Sequence, residues 1–299
     1  MAPSLETRTM TDTYFPDAIR PNERERFFFD LHGFVILRGA LSAAELAGTN
    51  AVMDDLQHLG RGEWAGWVQA HTYGGKEGLN LQQIYEAGEP FERLIDHPSW
   101  IGKVRTFLGG EGTFDDHHGP LFIDECFANI RGPAEAIGMH SGGHQGTVRT
   151  QFAVKDQRFH CGQINVLVAH RDIGPGDGAT MVVPASHKAN FRHPDFDKAS
   201  MTTGKLCSMD GVEGAIEVHL KAGDALLFVD AIIHGSAARV NPGQRRISVY
   251  RYGPSWGTFR HGYRPSPDLL ARLSPARRSI VQPMDPVLPP CAVAVAVAV

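Results

Sequence analysis

The sequence has few cysteines. Its 299 residues hold four (Cys126, Cys161, Cys207 and Cys291), widely scattered and with no CxxC pair. That leaves no zinc-ribbon ligand set, and a chain this long has no need of a disulfide framework to build a core. The expectation is reduced thiols in a cytoplasmic protein. No apolar run approaches the ~18 residues of a spanning helix, so no membrane partner is expected. The first fifteen residues lack the charged-then-apolar pattern of a secretion signal. Lysines and arginines form no block, and acids and bases mix to a net charge of −4, which argues against a surface that tracks nucleic-acid phosphates.

Hydrophobic residues make up 42% of the chain and charged residues 21%, values of an ordinary globular protein. Residues 1–20, polar and with Pro3 and Pro16, read as a loose leader, 21–282 as a single domain, and 283–299 as a low-complexity tail that ends in an Ala/Val repeat. Asn22 to Leu31 reads as a short helix ended by Gly33, and Phe34 to Leu37 as a buried strand. Ser42 and Glu45 form a capping box that opens a helix carrying Leu46, Thr49, Met53 and Leu56 on one face. Pro98 to Leu108 reads as a further helix, closed by Gly109 and Gly110.

From about residue 120 short β-rich runs follow one another: Leu121 to Ile130, Gly162 to Val168, Ala179 to Val183, Ala225 to Val229 and Arg246 to Tyr252. Gly/Pro/Asp turns separate them, the pattern of a sandwich or barrel. The expected fold is α+β, a jelly roll with an N-terminal helical portion packed on it.

Fifteen histidines are present, and position separates two of them. His140 sits in the glycine-rich stretch 138–145 (GMHSGGHQ), and His234 ends the run 225–234 (ALLFVDAIIH). An imidazole at the end of a buried strand is well placed to ligate a metal in a barrel mouth.

Three further segments carry a resemblance: 28–42 (FFDLHGFVILRGALS), 172–188 (DIGPGDGATMVVPASHK) and 222–236 (AGDALLFVDAIIHGS) with Arg245 and Arg246 behind it. In this order and spacing they resemble the phytanoyl-CoA dioxygenase-like family of Fe(II)/2-oxoglutarate-dependent oxygenases. The resemblance implies a double-stranded β-helix whose mouth holds iron through a His-x-Asp pair and a distal histidine. It implies His140 and His234 as metal ligands and Arg245 as the fork onto the C5 carboxylate of 2-oxoglutarate, with Ser236 donating to the same group. Arg246 is the runner-up, since strand alternation turns only one of the two arginines inward. Gln163 and Asn165 share a strand face and are candidates for the C1 end of the cosubstrate or, equally, for a polar core.

The sequence departs from the family pattern at one point: His140-Ser141-Gly142 stands where His-x-Asp is expected, and glycine cannot ligate. Three accounts follow. Gly142 leaves room for chloride, as in the iron halogenases of this superfamily; another residue (His144, or Asp156 or Asp230) supplies the third ligand; or the barrel persists as a metal-free binding module. A zinc hydrolase using His140, His144 and His234 leaves Arg245 without a purpose. Arg131 and Arg149 flank the metal loop as candidates for an anionic substrate. Trp64, Trp67, His71 and Tyr73 are candidate substrate contacts in the helical third. The expectation is an oxidoreductase acting on an aliphatic C–H bond of a small molecule. His187 reads as structural.

Overall fold

The computed structural model describes residues 18–71, 76–109, 121–202, 208–254 and 266–274, with residue 277 and residues 288–290. Tyr73, Cys207, Cys291 and most of the leader and tail lie outside them. Helix α1 (Glu23–His32) starts where the Asn22 side chain accepts from Glu25 N and Glu25 reaches back, and it stops at Gly33. Strand β1 (Phe34–Leu37) follows, and then α2 (Ala43–Leu56) on the Ser42/Glu45 box, burying Thr49 and Met53. After a stretch of short strands, α3 (Ile101–Leu108) is buried along almost its whole length.

The segment expected to be helical between α2 and α3 contains strands. β2 (Trp64–Ala65), β3 (Val68–His71) and β4 (Leu79–Gln82) carry Trp64 and His71. In β3 Val68 and Ala70 are buried while Gln69 and His71 are half-buried, the period of two that a strand imposes. Trp67, between β2 and β3, is 44% exposed. The remaining strands are β5 (Leu121–Arg131), β6 (Phe152–Lys155), β7 (Arg158–Cys161), β8 (Ile164–Ala169), β9 (Thr180–Val182), β10 (Ile216–Val218), β11 (Ala225–Val229), β12 (His234–Ser236) and β13 (Arg245–Pro254).

They form an eight-stranded sheet ordered β1-β11-β8-β13-β5-β4-β3-β2 and a three-stranded sheet β10-β9-β12, with β6-β7 as a separate hairpin. Every strand pairing is antiparallel. This is the jelly-roll architecture expected, with the two sheets facing one another rather than closing into a continuous ring. Among the described residues no helix is long and apolar enough to cross a membrane.

The central strand β13 shows how the core divides. Tyr250 and Tyr252 turn to the outer, helix-covered face, where their hydroxyls donate to Phe91 O (2.6 Å) and Ile95 O (2.8 Å). Trp100, wholly buried, donates its indole N–H to the Tyr252 hydroxyl. Phe29 of α1 stacks on Phe107 of α3, and Phe159 of β7 meets both rings edge-on. The opposite faces of these strands carry Phe127, Leu167, Phe228, Ile247 and Val249 into an internal cavity. One face of the large sheet holds the fold together, and the other encloses the site.

Candidate active site

His140 and His234 meet as a two-residue antiparallel bridge, with His140 N donating to His234 O (3.0 Å) and His234 N to His140 O (3.1 Å). The approach depends on glycine. A Cβ at Gly235 would stand 2.7 Å from Met209 Sδ and 2.8 Å from Gly138 O, so only a bare backbone lets β12 lie against the loop that carries His140. The two imidazole rings are 4.0 Å apart between centroids.

Each ring is oriented by its own backbone. His140 Nδ1 is 3.0 Å from Gly138 O and His234 Nδ1 is 2.8 Å from Ile232 O. A carbonyl can only accept, so each Nδ1 carries the proton and each Nε2 keeps a free lone pair. Burial, and for His140 the neighbouring His234, depress both groups below the ordinary histidine range, keeping the rings neutral at pH 7. Two neutral, pre-oriented imidazoles with free Nε2 atoms are what a divalent metal requires of histidine. The site therefore fits iron on the histidine side.

The third protein ligand is a separate question. Gly142 has φ +126°, and a Cβ there would lie 2.6 Å from His144 Nδ1 and 3.0 Å from Ile233 Cγ1. Its glycine is accounted for by the backbone and by the His144 ring packed against it. That ring meets Phe196 edge-on at 5.7 Å and does not line the cavity. Asp156 sits in the β6–β7 turn and is exposed. Asp230 is wholly buried, accepting from Asn165 Nδ2 (3.1 Å), Arg149 Nη1 (2.7 Å) and Ser141 Oγ (3.3 Å). Burial opposes its charge, but Arg149, Arg251 and the Asn165 amide outweigh burial and hold the carboxyl below its ordinary value. Among the described residues no group of three or more His, Cys, Asp or Glu side chains is arranged to hold a metal. Asp230 instead ties the His140 loop, through Ser141 and Arg149, to the turn that leads to His234.

At the other end of the cavity stands Arg245. Strand alternation turns it inward and turns Arg246 to the outer face, against Asp54, Gln57 and Gln244. Arg245 donates to Thr180 Oγ1 (3.0 Å) and Asn129 Oδ1 (3.3 Å), and its Nε is buried without a partner. Ser236 lies beside it and accepts from Arg131 Nη1 (2.7 Å) and Ile137 N (2.9 Å), leaving its own O–H to donate. An orphaned guanidinium N–H and a free hydroxyl suit a carboxylate, so this end fits the distal group of 2-oxoglutarate. Gln163 and Asn165 are not among the lining residues: Gln163 donates to Asp124 Oδ2 (2.8 Å), and Asn165 serves Asp230.

His170 and His187 stand apart from the site. His170 is bound at both nitrogens, by Thr49 Oγ1 and Ser248 Oγ at 2.9 Å each. His187 Nε2 is 3.0 Å from Asp30 O. The sequence reading passed over Asn129, Thr180, Phe228 and Arg251, all of which line the cavity. The two-residue step from Phe127 through Asn129 to Arg131 was the available signal.

Residues 29–247 match the phytanoyl-CoA dioxygenase (PhyH) family. The chain belongs to that family. Membership places it among the iron- and 2-oxoglutarate-dependent oxygenases. A dioxygenase of Gibberella moniliformis, FUM3, is 37% identical over 84 residues, a stretch covering 28% of this chain and 23% of that protein. HygX from Streptomyces hygroscopicus, solved with nickel and 2-oxoglutarate bound, superposes with a TM-score of 0.64 at 21% identity, over 79% of this chain and 88% of HygX. SnoK, a non-heme alpha ketoglutarate dependent carbocyclase of nogalamycin biosynthesis, superposes with a TM-score of 0.53 at 18% identity, over 85% and 92% of the two chains. EctD from S. alaskensis, in its apo form, gives 0.54 at 17% identity, over 78% of this chain and 77% of EctD. At these identities the solved structures speak to the fold of this family member.

Proposed function

We propose that the protein is a non-haem Fe(II)/2-oxoglutarate-dependent oxygenase that functionalises an aliphatic C–H bond of a small molecule. One observation carries the reading: a single cavity has two neutral, carbonyl-fixed imidazoles at one end and a buried guanidinium with an unpaired N–H at the other. When bound, iron(II) would activate dioxygen, the oxidant, with 2-oxoglutarate giving up two electrons as it becomes succinate and CO₂. His140 and His234 hold the metal through Nε2, with their Nδ1 protons fixed on Gly138 O and Ile232 O. Arg245, Thr180 and Ser236 seat the distal carboxylate and so aim the oxo end of the cosubstrate at the histidines. Phe127, Phe228, Leu167 and Val249 keep the space between dry, which strengthens both sets of polar contacts. Asp230 holds the His140 loop in register.

The chemical outcome on the substrate divides into hydroxylation-type oxidation, which this reading adopts, and halogenation with chloride opposite Gly142. The backbone and His144 already account for Gly142, so the glycine alone does not favour a halide site. Anaerobic Fe(II) titration with 2-oxoglutarate is the test: a weak visible charge-transfer band is expected from the folded protein. No band from folded wild type would sink the oxygenase reading, and a band that shifts with chloride would favour halogenation.

A further inference from the structure

We propose that Arg131 is a second arm of the carboxylate seat, so that paired guanidiniums make this protein select an oxo-dicarboxylate over an oxoacid with an uncharged tail. The proposal rests on the reading of Arg245 given above and goes beyond it. Arg131 and Arg245 are cross-strand partners of β5 and β13, directly opposite in register. Both side chains enter the cavity, and the two residues are 1% and 2% exposed.

The acceptors they bond are uncharged. Arg131 donates to Glu77 O (3.3 Å) and Ser236 Oγ (2.7 Å), and Arg245 to Asn129 Oδ1 and Thr180 Oγ1. Glu135 and Glu77 draw on Arg131 through space and partly offset its burial, but neither carboxylate accepts a hydrogen bond from it. Glu77 accepts from Lys76 N and Glu135 from Gly132 N, while Asp177 pairs with Arg239, a third arginine close enough to act on Arg245. Burial depresses both guanidiniums, and Arg131 adds its repulsion to Arg245. Even so Arg131, brought down to about 10, remains charged at neutral pH.

Two buried like charges facing one cavity without a hydrogen-bonded carboxylate form an arrangement that an anion completes. A carboxylate has about four lone-pair positions, enough to accept from both guanidiniums and from the Ser236 and Thr180 hydroxyls together. The Arg131–Ser236 bond then has a second use. By occupying the serine as an acceptor, it turns the serine proton toward the ligand.

The test is calorimetric titration of the full-length, Ni(II)-loaded protein with 2-oxoglutarate and with 2-oxobutyrate, which lacks the distal carboxylate. Wild type, Arg131→Gln and Arg131→Lys are compared, with Arg245→Gln as reference. Wild type is expected to favour 2-oxoglutarate by about a hundredfold or more, as two charge-assisted contacts would give. In Arg131→Gln that preference should fall roughly tenfold, through weaker 2-oxoglutarate binding and with 2-oxobutyrate unchanged; Arg131→Lys should lie between. A variant that melts earlier but keeps the wild-type preference overturns the proposal and leaves Arg131 a structural residue. If Arg131→Gln does not fold, Arg131→Lys decides alone. Wild type without any preference would instead overturn the cosubstrate reading of Arg245, and this proposal with it.

Discussion

At one end of the cavity His140 and His234 are stripped of charge by burial and aimed by carbonyls. At the other, Arg131 and Arg245 keep their charge among uncharged oxygens. Both ends are desolvated, yet the same physical cause has opposite uses. An imidazole can answer burial by giving up its proton and so becomes a ligand for a cation. A guanidinium cannot, and so becomes a receptor for an anion. The difference lies in the side chains, and the sheet delivers both. His140 and His234 arrive through a backbone bridge at the edge of the small sheet, and the arginines through register on the large one.

The largest effect should come from removing the cation end. His234→Ala takes away one of the two proposed protein ligands, and iron affinity should fall by at least about a hundredfold, with 2-oxoglutarate turnover lost. Metal content after dialysis, together with succinate formation, measures it. If iron is retained at wild-type affinity, His234 is not a ligand. At the anion end, Arg245→Gln removes charge-assisted bonds worth about 3 kcal/mol in a desolvated site, which corresponds to a rise of roughly a hundredfold in the Kd for 2-oxoglutarate. Iron binding without cosubstrate should be nearly unchanged. A variant that loses both together would show that the two ends are not the separate devices described here.

Much of the scaffold was legible in the sequence because local chemistry decides it. The Asn22/Glu25 and Ser42/Glu45 boxes mark where α1 and α2 begin, and the short apolar run Ala225–Val229, set off by the turn before it, reads as a buried strand. The stretch 64–82, within the N-terminal third expected to be helical, forms strands. Its strands are two to four residues long; β2 and β3 pair within the stretch, and β4 joins it to the large sheet through β5, whose partner residues lie 45 to 51 positions away along the chain, beyond any local window. The site divided in the same way. His234 and Arg245 stand out from their neighbours in sequence. The environment of Asp230 does not, because Asn165, Arg149 and Ser141 converge on it from three separate elements. Gly142 shows the limit most clearly: the letter alone suggests an empty ligand position, and only the fold reveals His144 packed into the space beside it.

Two further residues act as internal controls. His170 is buried like His140 and His234, but Thr49 and Ser248 occupy both of its nitrogens, so it has no lone pair to offer. Burial, with Arg246 nearby, lowers it to about 3 from an unfolded value of 6.5. The unfolded chain therefore binds a proton that the folded one refuses. Stability from this group is complete above pH 6.5 and declines as the pH falls toward 3. Between pH 7.5 and 5 the loss is roughly 2 kcal/mol. His170→Asn should lose correspondingly less than wild type over that interval in urea unfolding. Equal losses would mean that His170 is protonated in the fold. Iron affinity should not change.

Arg246 is the matching control for the anion end, and the smallest effect on function is expected there. It adjoins Arg245 in sequence, is equally buried at 2% exposure, and has the same side chain. It differs in facing outward, where Asp54 pairs with it at 2.7 Å and Gln244 and Gln57 complete its bonds. Its charge is already answered, so it has no use for a ligand. Arg246→Ala should destabilise the fold by about 1–3 kcal/mol through the partners it leaves unpaired. The Kd for 2-oxoglutarate should stay within roughly twofold of wild type, well under the ~1.4 kcal/mol of a tenfold change. A rise comparable to that of Arg245→Gln would mean that buried positive charge anywhere on β13 draws the cosubstrate. A change confined to melting temperature would show that the inward face, and the uncharged company Arg245 keeps there, makes a receptor of one of two adjacent arginines.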